Sequence, residues 1–385
     1  MKFDFVILGA TGMQGKIVAK DLLQKGYAVL LCGRDKSRVE HFLKKYNKTA
    51  FAYIDIVKDP AHIESIIKKS GADVAINCME GDWNAKTALV CMNAGVHSVD
   101  LGSDIPETKR QFELTKKLKE KGLTHITGCG SVPGIGNVML RYAKDKLDTI
   151  DSIDVGFAWD SNQKVFVVPF SMQSITEEFV TPADMIIKKN HTTVKPMDTV
   201  MWTTHRAIEK EPEFNVGHHP ETFTFYQFTK DKGIKNIRFF AGFPKHSFTT
   251  IQTLINLGFA SKTPINMHGQ KIVPVNVLTE VLKKIKYPHG YKETENLWVH
   301  LYGKKDNKKK TIKMECIVPT LEGWEDAGCN IDTGLPASII AEMIKNKIII
   351  DRGAFSPEFV VPTQTFFLEL KKRKMIVYEN GKRIN

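Results

Sequence analysis

Hydrophobic residues in the first third of the chain occur in short runs, and segments with helical spacing separate one run from the next. The apolar runs occupy residues 5–8, 28–32, 51–54, 72–77, 96–101 and 124–127. Helical spacing of apolar positions is found at 60–70, 84–94 and 106–121. Strands that alternate with helices in this way predict an α/β fold with a doubly wound parallel sheet in the N-terminal part of the chain.

From about residue 151 the pattern changes to alternation of apolar and polar positions, with fewer helical segments. Alternation predicts strands at 152–159, 165–168, 223–228, 236–240 and 298–302. Helical spacing predicts helices at 249–257, 275–285 and 332–344. A lysine-rich stretch, 304–310, lies between two alternating runs and predicts the tip of a hairpin. This part of the chain therefore predicts an α+β domain with a mostly antiparallel sheet.

A glycine-rich turn joins the first apolar run to the first helical segment. Glycines at this spacing permit a tight turn, a close approach of backbone to phosphate and close packing of the helix on the strand. The helix that follows can receive a pyrophosphate at its free N–H groups. We expect the following residues to contact a dinucleotide: Gly9, Thr11, Gly12, Met13 and Gly15. The alternative is a glycine turn in a flavodoxin-like fold that binds nothing.

The residues after the second strand bear on the choice of cofactor. An acidic side chain at this place would bind the ribose hydroxyl of NAD, whereas Arg34 stands here, followed by Lys36, Ser37 and Arg38. Such a cluster suits a 2′-phosphate, so we predict NADP. Asp35 could still meet a ribose, which leaves NAD open.

Polar residues follow the third and fourth strands, where ligands bind in a doubly wound sheet. Asp55 is expected beside the adenine, although it could equally cap the helix that begins near Pro60. Asn77 and Cys78 end the fourth strand and are expected near the cofactor.

Composition narrows the classes of partner. The formal net charge is +12, but the lysines are dispersed and no nucleic-acid-binding motif is present, so we expect no nucleic acid. No stretch of eighteen apolar residues and no charged-then-apolar leader occur, so we expect neither a membrane span nor secretion. The six cysteines form no CxxC pair and no cluster of zinc spacing, which favours reduced thiols in a cytoplasmic protein without a metal.

Four stretches of the chain, in order, resemble the saccharopine dehydrogenase-like family, which includes saccharopine reductase, lysine 6-dehydrogenase and carboxynorspermidine synthase. The stretches are the glycine turn at Gly9, Val-Asp-Leu-Gly-Ser at 99–103 with Gly-Cys-Gly-Ser-Val-Pro-Gly-Ile-Gly-Asn at 128–137, Pro-Phe-Ser-Met-Gln-Ser-Ile-Thr-Glu-Glu at 169–178, and Thr-Gly-Leu-Pro-Ala at 333–337 with Gly353 and Pro357-Glu358 downstream. Their order and spacing span nearly the whole chain.

The resemblance implies three parts, which we place at 1–130, 131–330 and 331–385. They would be the Rossmann domain, an α+β domain that binds substrate and forms a homodimer, and a C-terminal segment that returns to the Rossmann domain. It also implies hydride transfer at a carbon bonded to an amino-acid nitrogen. Lysine 6-dehydrogenases carry an acid where Arg34 stands here, which favours the NADP-using, imine-reducing members.

An imine reductase holds the nicotinamide against the imine carbon and needs an acid or base for formation of the carbinolamine. Asp100 and Asp104 follow the fifth strand and are candidates for this role, although Asp104 could instead be a helix N-cap. Cys129 is a further candidate, with a buried packing thiol as the alternative.

Two further segments are expected at the cleft. Glu178, next to Glu177, would face it from the second domain, unless both residues only cap a helix. Pro133 and Gly134 belong to a turn whose N–H groups would meet the nicotinamide or a substrate carboxylate.

The sequence thus predicts an NADP(H)-dependent oxidoreductase that acts on a carbon–nitrogen bond of an imine or secondary amine derived from an amino acid. Its partner would be an amino-acid-like small molecule. Two alternatives stay open: NAD-dependent oxidative deamination of the lysine 6-dehydrogenase type, and an NADP-binding redox sensor without catalytic activity.

Overall fold

The computed structural model describes residues 2–206 and 208–385, which form two large sheets. The elements of the first part are β1 (Phe5–Leu8), α1 (Met13–Gln24), β2 (Val29–Gly33), α2 (Glu40–Lys45), β3 (Thr49–Tyr53), α3 (Pro60–Ser70), β4 (Val74–Asn77), α4 (Asn84–Ala94), β5 (His97–Asp100), α5 (Ile105–Phe112), α6 (Thr115–Glu120), β6 (Thr124–Ile126) and α7 (Ile135–Lys144).

The remaining elements follow in chain order. They are β7 (Thr149–Ser161), α8 (Met172–Val180), β8 (Ala183–Ile187), β9 (Asn190–Val194), β10 (Val200–Met201), β11 (Glu213–Asn215), α9 (Glu221–Thr229), β12 (Asn236–Gly242), α10 (Lys245–Asn256), β13 (Ile265–Met267), β14 (Gln270–Ile272), α11 (Pro274–Leu282), β15 (Glu293–Lys305), β16 (Lys308–Pro319), α12 (Ile331–Lys345), β17 (Gly353–Phe355), α13 (Pro357–Val360), α14 (Thr363–Lys372), β18 (Ile376–Glu379) and β19 (Lys382–Arg383).

The first sheet has seven parallel strands in the order β3-β2-β1-β4-β5-β6-β17. Every residue of β1 and β2 is buried, as expected for central strands with helices on both faces. The order reverses between β1 and β4, so the carboxyl ends of these strands flank the crevice in which doubly wound sheets bind ligands. The predicted Rossmann domain is confirmed.

The second sheet has ten strands and is mostly antiparallel, with its main path in the order β10-β11-β12-β7-β15-β16-β18-β19. The pair β7 and β12 is parallel. The hairpin of β15 and β16 is confirmed, and its tip is a turn at Asp306 and Asn307, where φ is 50° and 60°. Both sheets together confirm the predicted fold class.

Two predicted strands are wrong. Residues 223–228 lie in helix α9, and residues 165–168 form no strand. The aromatic residues of the first segment favour a strand by propensity. The chain turns helical instead because the amides of Phe223 and Thr224 both donate to the carbonyl of Pro220, and the helix buries Phe225 completely.

The C-terminal part contacts both sheets. Helix α12 packs on α1 so closely that a Cβ on Gly334 would lie 2.5 Å from the side chain of Ile17. Strand β17 extends the parallel sheet, whereas β18 and β19 extend the other one. A buried ion pair of 2.7 Å between Asp21 and Arg373 joins α1 to the residue after α14. The domain boundaries at residues 130 and 330 stay predictions.

Within the described residues, no helix combines the length and the apolar character that crossing a bilayer requires.

Candidate active site

The turn after β1 requires glycine at two positions. Gly9 has φ of 82°, and a Cβ there would lie 2.8 Å from the carbonyl oxygen of Cys78. A Cβ on Gly15 would overlap the carbonyl oxygen of Gly9. The turn therefore brings the start of α1 directly against the ends of β1 and β4.

The N-terminus of α1 is open. Gly12 occupies the N-cap position without a side-chain hydrogen bond, and the first turn contains no acidic residue. The amide of Lys16 is the first to bond back, to the carbonyl of Gly12. The amides of Met13, Gln14 and Gly15 therefore have no intrahelical acceptor, as at any helix start. This cradle fits the diphosphate of a dinucleotide.

Thr11 lies at the neighbouring strand end. A Cβ on Gly33 would be 2.6 Å from the Thr11 side chain, so the tip of the glycine turn rests on the end of β2. The residues after β2 are consequently adjacent to the cradle.

Cations without partners surround the end of β2. Arg34 and Arg38 are exposed, and within the described parts of the chain no carboxylate lies within 4 Å of either one. Burial, together with the charge of Arg38, lowers the pKa of Lys16, so these two cations are neighbours. Asp35 caps the short turn that follows, since it accepts hydrogen bonds from the amide and the hydroxyl of Ser37 at 3.0 and 2.6 Å. The two exposed guanidinium groups fit a 2′-phosphate.

Asp55 organises its own turn. Its carboxylate accepts hydrogen bonds from the amides of Val57 and Lys58 at 3.1 and 3.3 Å. The N-cap of α3 is Asp59, which accepts from the amide of His62. The alternative in which Asp55 caps this helix is therefore wrong, and its contact with adenine stays a prediction.

Asn77 and Cys78 shape the loop after β4. The Asn77 side chain accepts from the amide of Met79 at 3.1 Å and donates to Asn84 at 2.8 Å. Burial and the charge of Asp100 raise the pKa of the Cys78 thiol. These side chains hold the loop against the cradle, and a direct cofactor contact stays a prediction.

Asp100 is buried and ties two loops together. Its Oδ1 accepts hydrogen bonds from Gly102 N, Thr127 Oγ1 and Gly128 N at 2.8, 2.9 and 3.0 Å. These three bonds join the end of β5 to the end of β6.

Asp104 and Cys129 also have local partners. The Asp104 carboxylate accepts from the amide of Glu107 at 2.8 Å and is the N-cap of α5. The Cys129 thiol is fully buried and donates to the carbonyl of Ile126 at 3.3 Å. Burial and the charge of Asp100 raise the pKa of this thiol well above its ordinary value.

Within the turn at 130–134, Gly134 does not offer the free N–H group that we expected, and neither do the two residues that follow it. The amide of Gly134 donates to Asn137 Oδ1 at 2.7 Å. The amides of Ile135 and Gly136 donate to the carbonyls of residues 130 and 131 at 3.0 Å each. The expectation of free N–H groups is wrong for these three positions.

Pro133 in the same turn packs against the loop after β5, since a Cβ on Gly102 would lie 2.5 Å from its ring. A contact of Pro133 or Gly134 with the cofactor stays a prediction.

Glu178, which belongs to α8, lies opposite the side chain of His219. Its Oε1 lies 3.7 Å from His219 Nε2, and Glu221 Oε2 lies 3.6 Å from His219 Nδ1. The imidazole stacks on Phe239 with ring centroids 3.5 Å apart. Burial disfavours a charged ring, but the two carboxylates outweigh it and raise the pKa of His219 to about 9. His219 is therefore charged at neutral pH.

Glu177 lies on the rim of the same cleft. Its carboxylate pairs with Lys262 at 2.6 Å. Burial and the charge of Glu177 raise the pKa of Glu80, which follows β4. The loop after β4 and helix α8 therefore approach each other across the cleft.

Two acidic residues that the sequence analysis missed complete the cleft. Asp332 lies in the first turn of α12, and burial together with the charge of Asp332 raises the pKa of Glu295 in β15. The next residue, Thr333, donates to Ser131 at 3.4 Å, so this turn contacts the parallel sheet. The sequence did contain a signal for Glu295. It is an acidic residue on the same face of an alternating segment as the buried Leu297.

The start of α12 also meets the cradle. Gln14 in the first turn of α1 donates to Asn330 at 3.5 Å, and Asn330 donates to the carbonyl of Pro169 at 2.5 Å. The cradle, the start of α12 and the segment before α8 therefore meet at one place. A glycine cradle on a doubly wound sheet, open to a second lobe, defines a dinucleotide-dependent oxidoreductase.

Comparison with known families identifies the class more narrowly. Residues 5–126 match the saccharopine dehydrogenase NADP binding domain, and residues 122–376 match the saccharopine dehydrogenase C-terminal domain. This chain belongs to the saccharopine dehydrogenase family, which confirms the predicted resemblance. The N-terminal match also confirms NADP(H) as the class of cofactor.

Individual relatives are distant but extensive. The carboxyaminopropylagmatine dehydrogenase of Synechocystis sp. is 24% identical over 392 residues, covering 93% of this chain and 92% of that protein. The carboxynorspermidine synthase of Vibrio alginolyticus is 24% identical over 331 residues, covering 79% and 77%. The apo saccharopine dehydrogenase (L-Glu forming) of Saccharomyces cerevisiae has the same fold, with a TM-score of 0.76 over 100% of both chains at 13% identity.

Proposed function

We propose that this chain transfers a hydride between NADP(H) and the carbon–nitrogen bond of an imine, or of the corresponding secondary amine. The observation that carries the proposal is the meeting of the phosphate cradle and the acidic cleft at the start of α12. Gln14 and Asn330 mark this junction at 3.5 Å. A small molecule held in the cleft would lie beyond the carboxyl ends of β1 and β4, where such folds react their ligands.

The chain's own residues suffice to hold the cofactor. The open amides at the start of α1 would bind the diphosphate, since Gly9 and Gly15 permit the close turn and Gly12 carries no side chain at the N-cap. Arg34 and Arg38 would bind the 2′-phosphate. When bound, NADP(H) supplies or accepts the hydride.

The substrate that we propose carries an amine and a carboxylate. Two relatives are named for carboxynorspermidine and carboxyaminopropylagmatine, which are carboxylated amines. Acidic side chains at the start of α12 support an amine substrate, because the charge of Asp332 acts on Glu295 there. An amine and a carbonyl compound condense to the imine, and reduction of the imine gives the secondary amine.

Of the residues for which the sequence predicted catalysis, Glu178 has the most suitable placement. Asp104 caps a helix, the Cys129 thiol is buried, and Asp100 holds loops together. Glu178 and its neighbour His219 lie 3.7 Å apart in the second domain, from which they would reach the substrate. We assign to His219 the proton that the carbinolamine oxygen needs in order to leave as water, with Glu178 holding the charged ring in place.

The proposal is tested by measuring cofactor affinity in a variant of the phosphate site and turnover in the wild type. We expect Arg34→Asp to raise the Kd for NADPH about 10- to 100-fold, because a charge-assisted hydrogen bond is worth about 1.5–3 kcal/mol. The Kd for NADH should not rise. Lys69→Asp makes the same change of charge on the exposed face of α3 and should leave both constants unchanged.

Turnover is measured as NADPH oxidation with pairs of amines and keto acids or aldehydes. An unchanged absorbance with every pair would contradict imine reduction and would favour the redox sensor. Turnover of a free amino acid with NAD alone would favour oxidative deamination. An equal effect of Arg34→Asp on both cofactors would contradict the phosphate site.

A further inference from the structure

Glu358 is a buried acidic residue of the C-terminal segment that the proposed reaction does not use. It lies in α13, is fully buried, and its Oε2 accepts a hydrogen bond from Asn137 Nδ2 at 2.7 Å. Arg141 holds the backbone of the same residue, since its guanidinium donates to the carbonyl of Glu358 at 2.8 Å. Among residues 2–206 and 208–385, no Lys or Arg nitrogen lies within 4 Å of the carboxylate. A buried carboxyl group without a cation costs free energy, so packing alone does not explain Glu358.

Asn137 connects Glu358 to the turn at 130–134. The Asn137 side chain is fully buried, and its Oδ1 accepts the amide of Gly134 at 2.7 Å. Gly134 has a φ of 140°, and a Cβ there would overlap the carbonyl oxygen of Gly130, so the turn has a shape that requires glycine. A carboxylate only accepts hydrogen bonds, so Glu358 fixes which end of the Asn137 amide points to it. The oxygen of that amide is thereby kept on the side of Gly134.

The turn at 130–134 lies on one particular side of the crevice. The phosphate cradle is at β1, and Arg34 after β2 would bind the 2′-phosphate on the adenosine side. Strands β4, β5 and β6 continue the sheet from β1 in the opposite direction, so the nicotinamide half of NADP(H) would extend over their carboxyl ends. The turn follows β6, and the close contact of Pro133 with Gly102 joins it to the loop after β5.

We propose that Glu358 is a positioning residue, which acts through Asn137 to hold the turn at 130–134 in the shape that receives the nicotinamide half of NADP(H). The proposal deepens the proposed function and rests on its cofactor site. Glu358 itself does not touch the cofactor. The adenosine half, which Arg34 and Arg38 would bind, does not depend on Glu358.

Two ligands separate the halves of the cofactor. NADPH carries the nicotinamide, whereas 2′-phospho-ADP-ribose lacks it and keeps the adenosine, the diphosphate and the 2′-phosphate. We expect Glu358→Ala to raise the Kd for NADPH about 3- to 10-fold, as the loss of one hydrogen bond predicts, and to leave the Kd for 2′-phospho-ADP-ribose unchanged. Glu358→Gln keeps an oxygen that accepts from Asn137 and should restore the wild-type Kd for NADPH. Calorimetry on the full chain measures all of these constants.

A double-mutant cycle tests whether Glu358 acts through Asn137. Asn137→Ala should raise the Kd for NADPH at least as much as Glu358→Ala does, and adding Glu358→Ala to it should have no further effect. Glu379→Ala is the matched control, because it removes a carboxylate that contacts Tyr142 and Lys146 at the other end of α7. This variant should bind both ligands as the wild type does.

Hydrogen exchange of the wild type gives a test that does not require a folded variant. Peptides that cover residues 128–137 should exchange more slowly with saturating NADPH than with saturating 2′-phospho-ADP-ribose. Equal exchange with the two ligands would overturn the proposal, because the turn would then not meet the nicotinamide half.

The affinities also separate this role from a purely structural one and from the proposed reaction. If Glu358→Ala weakens both ligands equally, or leaves the Kd for NADPH unchanged, the positioning role is overturned even if the wild type reduces imines. The expected pattern of Kd values in a protein that shows no turnover would instead contradict the proposed reaction and leave the role of Glu358 standing.

Discussion

The thiol of Cys129 illustrates how burial decides a residue's chemistry. It is 0% exposed and donates to a backbone carbonyl, and its pKa lies well above the ordinary value. The thiolate is the reactive form of cysteine, so this side chain is a poor nucleophile or proton carrier.

We therefore expect Cys129→Ala to leave kcat within about twofold of the wild type, since no step depends on the thiol. The lost packing and hydrogen bond should lower the free energy of unfolding by about 1 kcal/mol. Steady-state kinetics and urea unfolding on the same preparation measure both quantities. A loss of kcat without loss of stability would restore a catalytic role for Cys129.

Individual side chains also show what the sequence predicts well and what it does not. The sequence correctly places Asp35 beside Arg34, but not the direction of its carboxylate. That direction depends on a hydrogen bond to the amide of Ser37, which forms only once the turn is made. Asp100 is another example, because its three donors come from two loops after different strands.

At the scale of elements, helix α5 depends on its N-cap residue. Asp104 accepts the amide of Glu107 at 2.8 Å, which satisfies one of the free amides at the helix start. We expect Asp104→Ala to lower the free energy of unfolding by about 1 kcal/mol, with Asp104→Asn close to the wild type because Asn is an equally good cap. Urea unfolding measures the effect, and kcat should be unchanged in both variants.

Asp59→Ala provides the comparison for this experiment. It removes the equivalent cap from α3, away from the cleft, and should cost a similar amount of stability. A large fall in kcat for Asp104→Asn alone would instead assign Asp104 to proton transfer.

Elements were predictable where local pattern and tertiary context agree. The parallel strands are short apolar runs that become central strands, and β1 lies within one residue of its predicted bounds. Helix α9 was mistaken for a strand because its aromatic residues carry strand propensity, whereas Pro220 accepts two amides and starts a helix. Local composition does not predict these hydrogen bonds to the carbonyl of Pro220.

The acidic cleft is a property of the whole molecule. Asp332 belongs to helix α12, and Glu295 belongs to strand β15. These elements are distant in the sequence, and only the packing of α12 brings the two residues near each other. Glu178, which the sequence did single out, could be found because it lies in a continuous stretch with a family likeness. Residues joined by packing alone have no such local signature.

Two groups in this cleft make the stability of the whole molecule depend on pH in the same direction. The pKa of Asp332 rises from 3.8 to about 7 on folding, so between these values the folded state keeps a proton that the unfolded state has lost. The pKa of His219 rises from 6.5 to about 9, so its contribution is complete below pH 6.5 and is lost as the pH rises through 9. For each of these two groups the unfolded state binds fewer protons in its window, so the group's own contribution to the free energy of unfolding falls as the pH rises. Burial lowers the pKa of His300 to about 3, so His300 acts in the opposite direction between about pH 3 and 6.5.

We therefore expect the free energy of unfolding of the wild type to fall between pH 4.5 and 9 relative to that of a variant that lacks the titrating group, with a slope of at most about 1.4 kcal/mol per pH unit for each proton. Urea unfolding at intervals of half a pH unit measures the slope. Asp332→Asn should flatten the profile below pH 7, and His219→Gln should flatten it above pH 7. Each variant serves as the control for the other, because each removes one of the two titrating groups. Two variants with the slope of the wild type throughout would show that neither group keeps its proton on folding, and the charged pairing of His219 with Glu178 would then have to be abandoned.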